Sequence, residues 1–245
     1  MDLRSMAFFR IAISFLIILD LIVRATSLRA HYTDFGILPR GPLLDQFSSP
    51  WRISIHFISG SSAVQAALFF LAGIFALMLL VGYRTRLAVF LSWFMMLSLH
   101  NRNPMILQAG DLYFHMLLFW GMFLPLGARW SVDSALVLEK KPSEKLPETV
   151  RFFSMATLGY LLQICFVYWF TAVHKLTGNS FMIWWKKGKA VYYALNVDQF
   201  ATPLTHYFLE FPKFLKILNY STILFEASGP FLLFFPFATD MVRIL

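Results

Sequence analysis

Seven apolar runs, separated by short polar or Pro- and Gly-containing stretches, set the pattern of this chain. They fall at about 6–23, 62–81, 86–99, 111–126, 153–173, 191–208 and 217–237. A helix needs about 20 apolar residues to cross a bilayer, so most of these runs predict membrane helices. The run at 86–99 is short for a span, and 191–208 is interrupted by Asp198 and Pro203. Backbone groups in hydrocarbon must be paired within the segment, which leaves helices as the option for runs this long. No period-two alternation recurs often enough to build a barrel. The predicted fold class is all-α: a polytopic transmembrane helical bundle of about six to seven membrane-associated helices in two halves.

The connections divide the chain. The segment 82–86 (GYRTR) is a tight turn, so the helices beside it run antiparallel. Residues 139–148 (EKKPSEKLPE) form a charged, Pro-containing linker between a first helix group, 1–138, and a second, 149–245. The loop 24–60 carries Tyr32, Phe35, Trp51, His56 and Phe57 among its charges, as an interfacial segment or a cap over a cavity would. The first run is preceded by Arg4 and Arg10, contains Asp20 and closes on Arg24 without a cleavage pattern, so it reads as a retained helix. Short loops and the charged linker place the N-terminus on the cytoplasmic side.

Composition agrees. Of 245 residues only 14% are charged and 58% are hydrophobic, with 28 Phe and 7 Trp; soluble domains carry about 25% charged residues. The chain is therefore read as an integral, multi-pass membrane protein. Its net charge of +8 is spread over short loops without an aromatic–basic platform, which argues against nucleic acid and for membrane lipids as partners. The single cysteine, Cys165, allows no internal disulfide, and no ligand spacing predicts a metal site.

Three groups of polar residues stand inside or beside the apolar runs. Arg10, Asp20 and Arg24 fall within an arc of about 80° on the first helix, with Asp20 and Arg24 four apart. They form either structural ion pairs or the polar wall of a cavity. Between the third and fourth runs lie Asn101, Arg102, Asn103, Gln108 and Asp111. Asp111 opens a helix, where a carboxylate caps free N–H groups, and His115 follows one turn later. This is either a capped loop or a hydrogen-bonding cluster at a cavity mouth, where an Asp–His pair suits proton transfer. The third group closes the run at 159–173. Tyr168, Thr171 and Lys175 share one helix face, with Trp169 and His174 on adjoining faces. A lysine at mid-bilayer costs about 2.5–3.5 kcal/mol on insertion scales, so its amine either reaches headgroups, sits in a wet cavity or has chemical work. Desolvation favours a neutral, basic amine.

Several segments together resemble the HTTM domain, the transmembrane domain shared with the vitamin K-dependent γ-carboxylase. They are RIAISFLIILDLIVRA from Arg10, YTDFGILPR from Tyr32, SPWRISIH from Ser49, and GYRTRLAVFLSWFMMLSLHNRNPMILQAGD from Gly82. LPLGARWSVD from Leu124 and WFTAVHKLTGNSFMIWWKKGKAVYYALNVDQF from Trp169 continue the match, in order, over essentially the whole chain. The resemblance implies a pocket for reduced vitamin K or menaquinol. It also implies a role for Lys175 as the base in hydroquinone oxidation and epoxidation, the first half of a carboxylating lyase reaction. His174 stands where the carboxylase has a second lysine. A functional histidine of that enzyme falls near Gly110–Asp111 here. The carboxylase also has a large lumenal part after its membrane domain. A peptide substrate, or a partner protein supplying that soluble part, is therefore expected if carboxylation occurs.

The resulting expectation is a carboxylase-like membrane protein with Lys175 and His174 at the catalytic position. Tyr168, Trp169, Thr171, Asn101, Arg102, Asp111 and His115 would line the ligand site, and Arg10, Asp20 and Arg24 would serve as structural polar residues. The alternative is a non-catalytic scaffold or peptide-maturation subunit in which Lys175 pairs with Asp111, Asp198 or Glu226 and only joins helices. The absence of an inverted repeat argues against a transporter.

Overall fold

The computed structural model describes residues 2–46, 52–140, 152–178, 183–197 and 202–234. Among them every regular element is helical. The α-helices are α1 (Leu3–Ala25), α2 (Leu28–Tyr32), α3 (Arg40–Gln46), α4 (Ser62–Val81), α5 (Thr85–Arg102) and α6 (Ala109–Gly121). They continue as α7 (Val132–Lys140), α8 (Met155–Thr177), α9 (Ile183–Lys186), α10 (Ala190–Leu195), α11 (Pro203–Leu209) and α12 (Pro212–Leu232). Three of them, α1, α4 and α8, are long and apolar enough to cross a membrane. The expected run at 191–208 resolves into α10 and α11, with Asp198 outside the described residues. Two compact units emerge, Met1–Tyr160 and Leu161–Leu245. They divide within α8, past the charged segment 139–148, most of which lies outside the described residues.

In the first unit α1 packs on α4, α4 on α5, and α5 on α6. Met6, Ile13, Ile17 and Leu21 form the buried stripe of α1 at helical spacing, facing Phe69, Ala72, Ala76 and Leu79 of α4. The small side chains of Ala72 and Ala76, one turn apart, let the helix axes approach closely. The opposite faces are apolar too: Phe15, Leu16 and Ile22 of α1 and Phe70 of α4 are half or more exposed. Helices that are apolar all round suit lipid contact.

Local signals set the ends. The Asp2 side chain accepts from Arg4 N at α1, and Ser61 accepts from Val64 N at α4. Gly82 ends α4 in the left-handed region, φ 72°, and Tyr83 N reaches back to Met78 O. Here three distant segments are tied together. Arg10 is fully buried and donates to Leu79 O (3.3 Å) and Trp130 O (2.5 Å), adding a cation at the C-terminal end of α4. Asp133 N donates to Gly82 O, and the Asp133 carboxylate accepts from Arg84 N, Thr85 N and Thr85 Oγ1 at 2.7–2.8 Å. Desolvation pushes that carboxyl up. The hydrogen bonds from Thr85 and Arg84 outweigh it and hold the group below the usual carboxylate range. A cleft of about 480 Å³ opens beside this knot, lined by Arg84, Arg86, Val89, Leu124, Leu126 and Asp133 among others.

The loop 24–60 contributes α2, α3 and a short 3-10 turn, Ile55–Phe57. Phe35, Ile37, Ile53 and Ile58 on it are exposed, as an interfacial segment requires. It is pinned by the Asp34–Arg40 pair (2.7 Å) and by the buried Arg102, which donates to Leu38 O and lies 3.5 Å from Asp34. His56 is buried, with Nδ1 2.7 Å from Gln65 Oε1. Burial lowers its pKa from 6.5 to about 4, against the Gln65 bond and with help from Arg102. Below the ordinary value the unfolded chain therefore takes up a proton that the folded chain refuses. Stability present above that value is lost as pH falls towards about 4, by at most about 3 kcal/mol. Thermal unfolding in detergent between about pH 7 and pH 5 should show this loss, and His56→Asn should flatten it. Parallel pH slopes in the two proteins would rule His56 out as its source.

Candidate functional site

Two polar clusters sit among apolar helices, one in each unit. The first is built on α1. Asp20 and Arg24, four residues apart, pair at 2.7 Å. Arg24 extends its other nitrogens to Asp111 Oδ1 (2.6 Å) and Tyr32 Oη (3.1 Å), so one guanidinium joins α1, α2 and α6. Asp111 Oδ2 accepts from Gln108 N at 2.9 Å, capping α6 as its position in the sequence predicts. From α5, His100 turns Nδ1 to His115 Nε2 at 2.8 Å and Nε2 towards Asp111 Oδ1 at 3.5 Å.

This gathers Asp20, Arg24, Asp111 and His115 into one network. The other members of the expected sets lie elsewhere. Arg10 belongs to the knot beside Gly82, Asn101 donates to Ile53 O, and Arg102 holds the loop segment through Leu38 O. Tyr32 and His100 are members that the sequence reading did not nominate. His100 ends an apolar run, and that is the one signal it offered.

The second cluster joins α8 to α12. Lys175 Nζ lies 2.5 Å from Glu226 Oε1, with both side chains largely buried. The ammonium also sits 3.9 Å from the centroid of the Trp185 ring, a cation–π contact. Trp185 is delivered by α9, which is fastened to α12. Asn219, fully buried, donates to Trp185 O and accepts from Ala190 N, and Tyr220 Oη donates to Lys186 O. Contacts along the two long helices run in opposite directions: Cys165 lies against Pro230 O, and Lys175, further along α8, meets Glu226, earlier on α12. Tyr168 meets Phe225 edge-on and Trp169 meets Phe231. They are antiparallel neighbours, walled by aromatic rings.

Among the described residues two atoms in this unit are buried without a hydrogen-bond partner: Glu226 Oε2, an acceptor, and Trp169 Nε1, a donor. Thr171 returns its hydroxyl to Val167 O, and His174 is exposed on a face away from the buried Lys175. The cleft beside Arg84 is lined by none of the nominated residues. Among the described residues the fold and these two clusters thus define an all-helical protein with three membrane-length helices and ionisable groups buried in each unit. Comparison with known protein families, curated proteins and solved structures returns no match.

Proposed function

We propose that this chain is a multi-pass membrane protein of the HTTM type. Its second unit would receive a reduced quinone, vitamin K hydroquinone or menaquinol, at the Lys175–Glu226 pair. The observation that carries the reading is that the pair is only half satisfied. Glu226 Oε2 has no partner among the described residues, although Oε1 holds the ammonium. A buried ion pair stabilises a fold poorly unless its remaining lone pairs are bonded, and ionisable groups among apolar helices are characteristic of function.

The group fits the residues present. Glu226 Oε2 is a free acceptor for a ligand hydroxyl, Trp169 Nε1 a free donor for a ligand oxygen, and aromatic rings supply the walls. A bound hydroquinone supplies two-electron reducing power towards dioxygen. The chain's own part is proton handling. Glu226 Oε2 accepts the hydroxyl proton, and the Lys175 ammonium, backed by the Trp185 ring, faces the negative charge left behind. The lysine thus acts as a charge partner beside a carboxylate base, whereas the sequence pattern alone suggests a lone neutral amine. Carboxylation of a peptide would call on a partner protein for the soluble part.

The scaffold reading has one observation in its favour: the amine is already engaged by Glu226, as a strut between α8 and α12 would be. Quenching of tryptophan fluorescence by reduced menaquinone, in detergent-purified protein, separates the two. Saturable binding that falls at least tenfold in both Lys175→Ala and Glu226→Gln, with product formed in air by the wild type alone, supports the quinol site. Binding that is absent, or unchanged by both substitutions, leaves the strut.

A further inference from the structure

The network of the first unit carries a charge and proton deficit. Arg24 is one cation serving two carboxylates, Asp20 and Asp111. The groups acting on His100 are Asp111, Arg24 and His115, and Asp20 and Tyr32 reach the cluster through Arg24. The 3-10 turn packed on α5 carries His56, whose Nδ1 is turned to Gln65, and α4 carries no titratable side chain. Among the described residues the cluster therefore holds one negative charge in excess, at a place where His100 is 1% and Asp111 7% exposed.

Counting hydrogens locates the vacancy. His115 hydrogen-bonds the Met96 backbone, where its ring acts as donor. A neutral imidazole has one N–H, so His115 Nε2 is left as an acceptor. The 2.8 Å contact then requires His100 Nδ1 to donate. That uses the single N–H of a neutral His100, and its Nε2 is a bare lone pair. This atom is buried without a hydrogen-bond partner and stands 3.5 Å from the Asp111 carboxylate. Two acceptors facing each other in a buried site repel unless a proton lies between them. Among the described residues no group of three His, Cys, Asp or Glu side chains is arranged to hold a metal ion. The ring nitrogens of His100 and His115 are bonded to each other instead.

We infer that His100 Nε2 and Asp111 form a proton-binding site in the first unit. Uptake breaks one O–H bond of a hydronium ion of the medium, which leaves as water, and forms one N–H bond at Nε2. It turns His100 into an imidazolium that balances the excess carboxylate charge, and the Nδ1–H···Nε2 bond shares that charge with His115. Burial opposes a cation on the ring and, against the pull of Asp111, draws its pKa from 6.5 down to about 3, so the site loads in acid and is empty at neutrality. This makes it an acid–base element separate from Lys175 and independent of any quinol.

The test is nitrogen NMR of the full chain, labelled at histidine and held in lipid nanodiscs. The His100 signal is assigned by its loss in His100→Gln, or, if that variant does not fold, by its coupling across the bond to His115. On acidification from about pH 7 to about pH 3, His100 Nε2 should change from bare to protonated, with the His115 ring responding in step. Asp111→Asn should move the change to at least tenfold higher proton concentration. An Nε2 that stays protonated throughout, or bare until the protein unfolds, overturns the proposal. So does a transition that Asp111→Asn leaves in place.

Discussion

Arg24→Met is expected to be the most damaging single substitution in the first unit, lowering stability by about 3–5 kcal/mol, the cost of stranding a buried charge. Three groups lose a donor at once: Asp20, Asp111 and the Tyr32 hydroxyl. Asp111 would keep only its bond from Gln108 N. Two carboxylates, 23% and 8% exposed at their side chains, would then share a site with no cation. Arg24→Lys should recover only a minor part, because an ammonium is a point charge and cannot span three acceptors as a guanidinium fork does. Adding Asp111→Asn to Arg24→Met should recover more, since it removes one stranded anion. Unfolding in mixed micelles, followed by circular dichroism, orders the four proteins. Equal stability of Arg24→Met and wild type would mean that the network carries no net energy.

Lys175→Met should cost the second unit a similar amount, about 3–5 kcal/mol, because Glu226 would remain buried and charged without its partner. The Trp185 ring would lose a cation as well, worth about 0.5–2 kcal/mol. Glu226→Met should be comparably harmful for the opposite reason. The double variant Lys175→Met, Glu226→Met should regain most of the loss, since a buried ion pair replaced by packed apolar side chains is often neutral or better. A double-mutant cycle on unfolding free energies measures this. Additive single-variant costs would show that the two groups are not coupled. If the double variant is stable and no longer binds reduced menaquinone, the pair serves the ligand rather than the fold.

Much of the helical framework was legible because apolar period and end signals agree. The expected helix at 62–81 coincides with α4, bounded by Ser61 and Gly82. Long-range partners alter the rest. The run at 86–99 continues to Arg102 as α5, because the polar residues His100 and Arg102 are buried against groups from other segments and so prolong the helix. The run at 111–126 stops at Gly121, where the chain turns through Phe123 and Leu124 and meets Pro125, which has no N–H to continue the ladder. The same distinction applies to the clusters. Asp20–Arg24 is readable from a spacing of four. The bond from Arg24 to Asp111 crosses 87 positions, and that from Lys175 to Glu226 crosses 51; no local pattern encodes either. Glu226 was one of three acids proposed for Lys175, and it is the one in contact; of the other two, Asp111 belongs to the first cluster and Asp198 lies outside the described residues.

Arg10 has a consequence for the order of assembly. Its acceptors, Leu79 O and Trp130 O, lie 69 and 120 positions further along the chain. A ribosome adding roughly ten residues per second makes the second of them about ten seconds after Arg10 itself. Until then a nascent first helix carries a guanidinium with at most one of its two acceptors, Leu79 O, available. Its early lodging in lipid is therefore provisional, and final docking waits for the segment around Trp130. A chain cut short before Trp130 would therefore leave the first unit without the contact that joins its first helix to that segment.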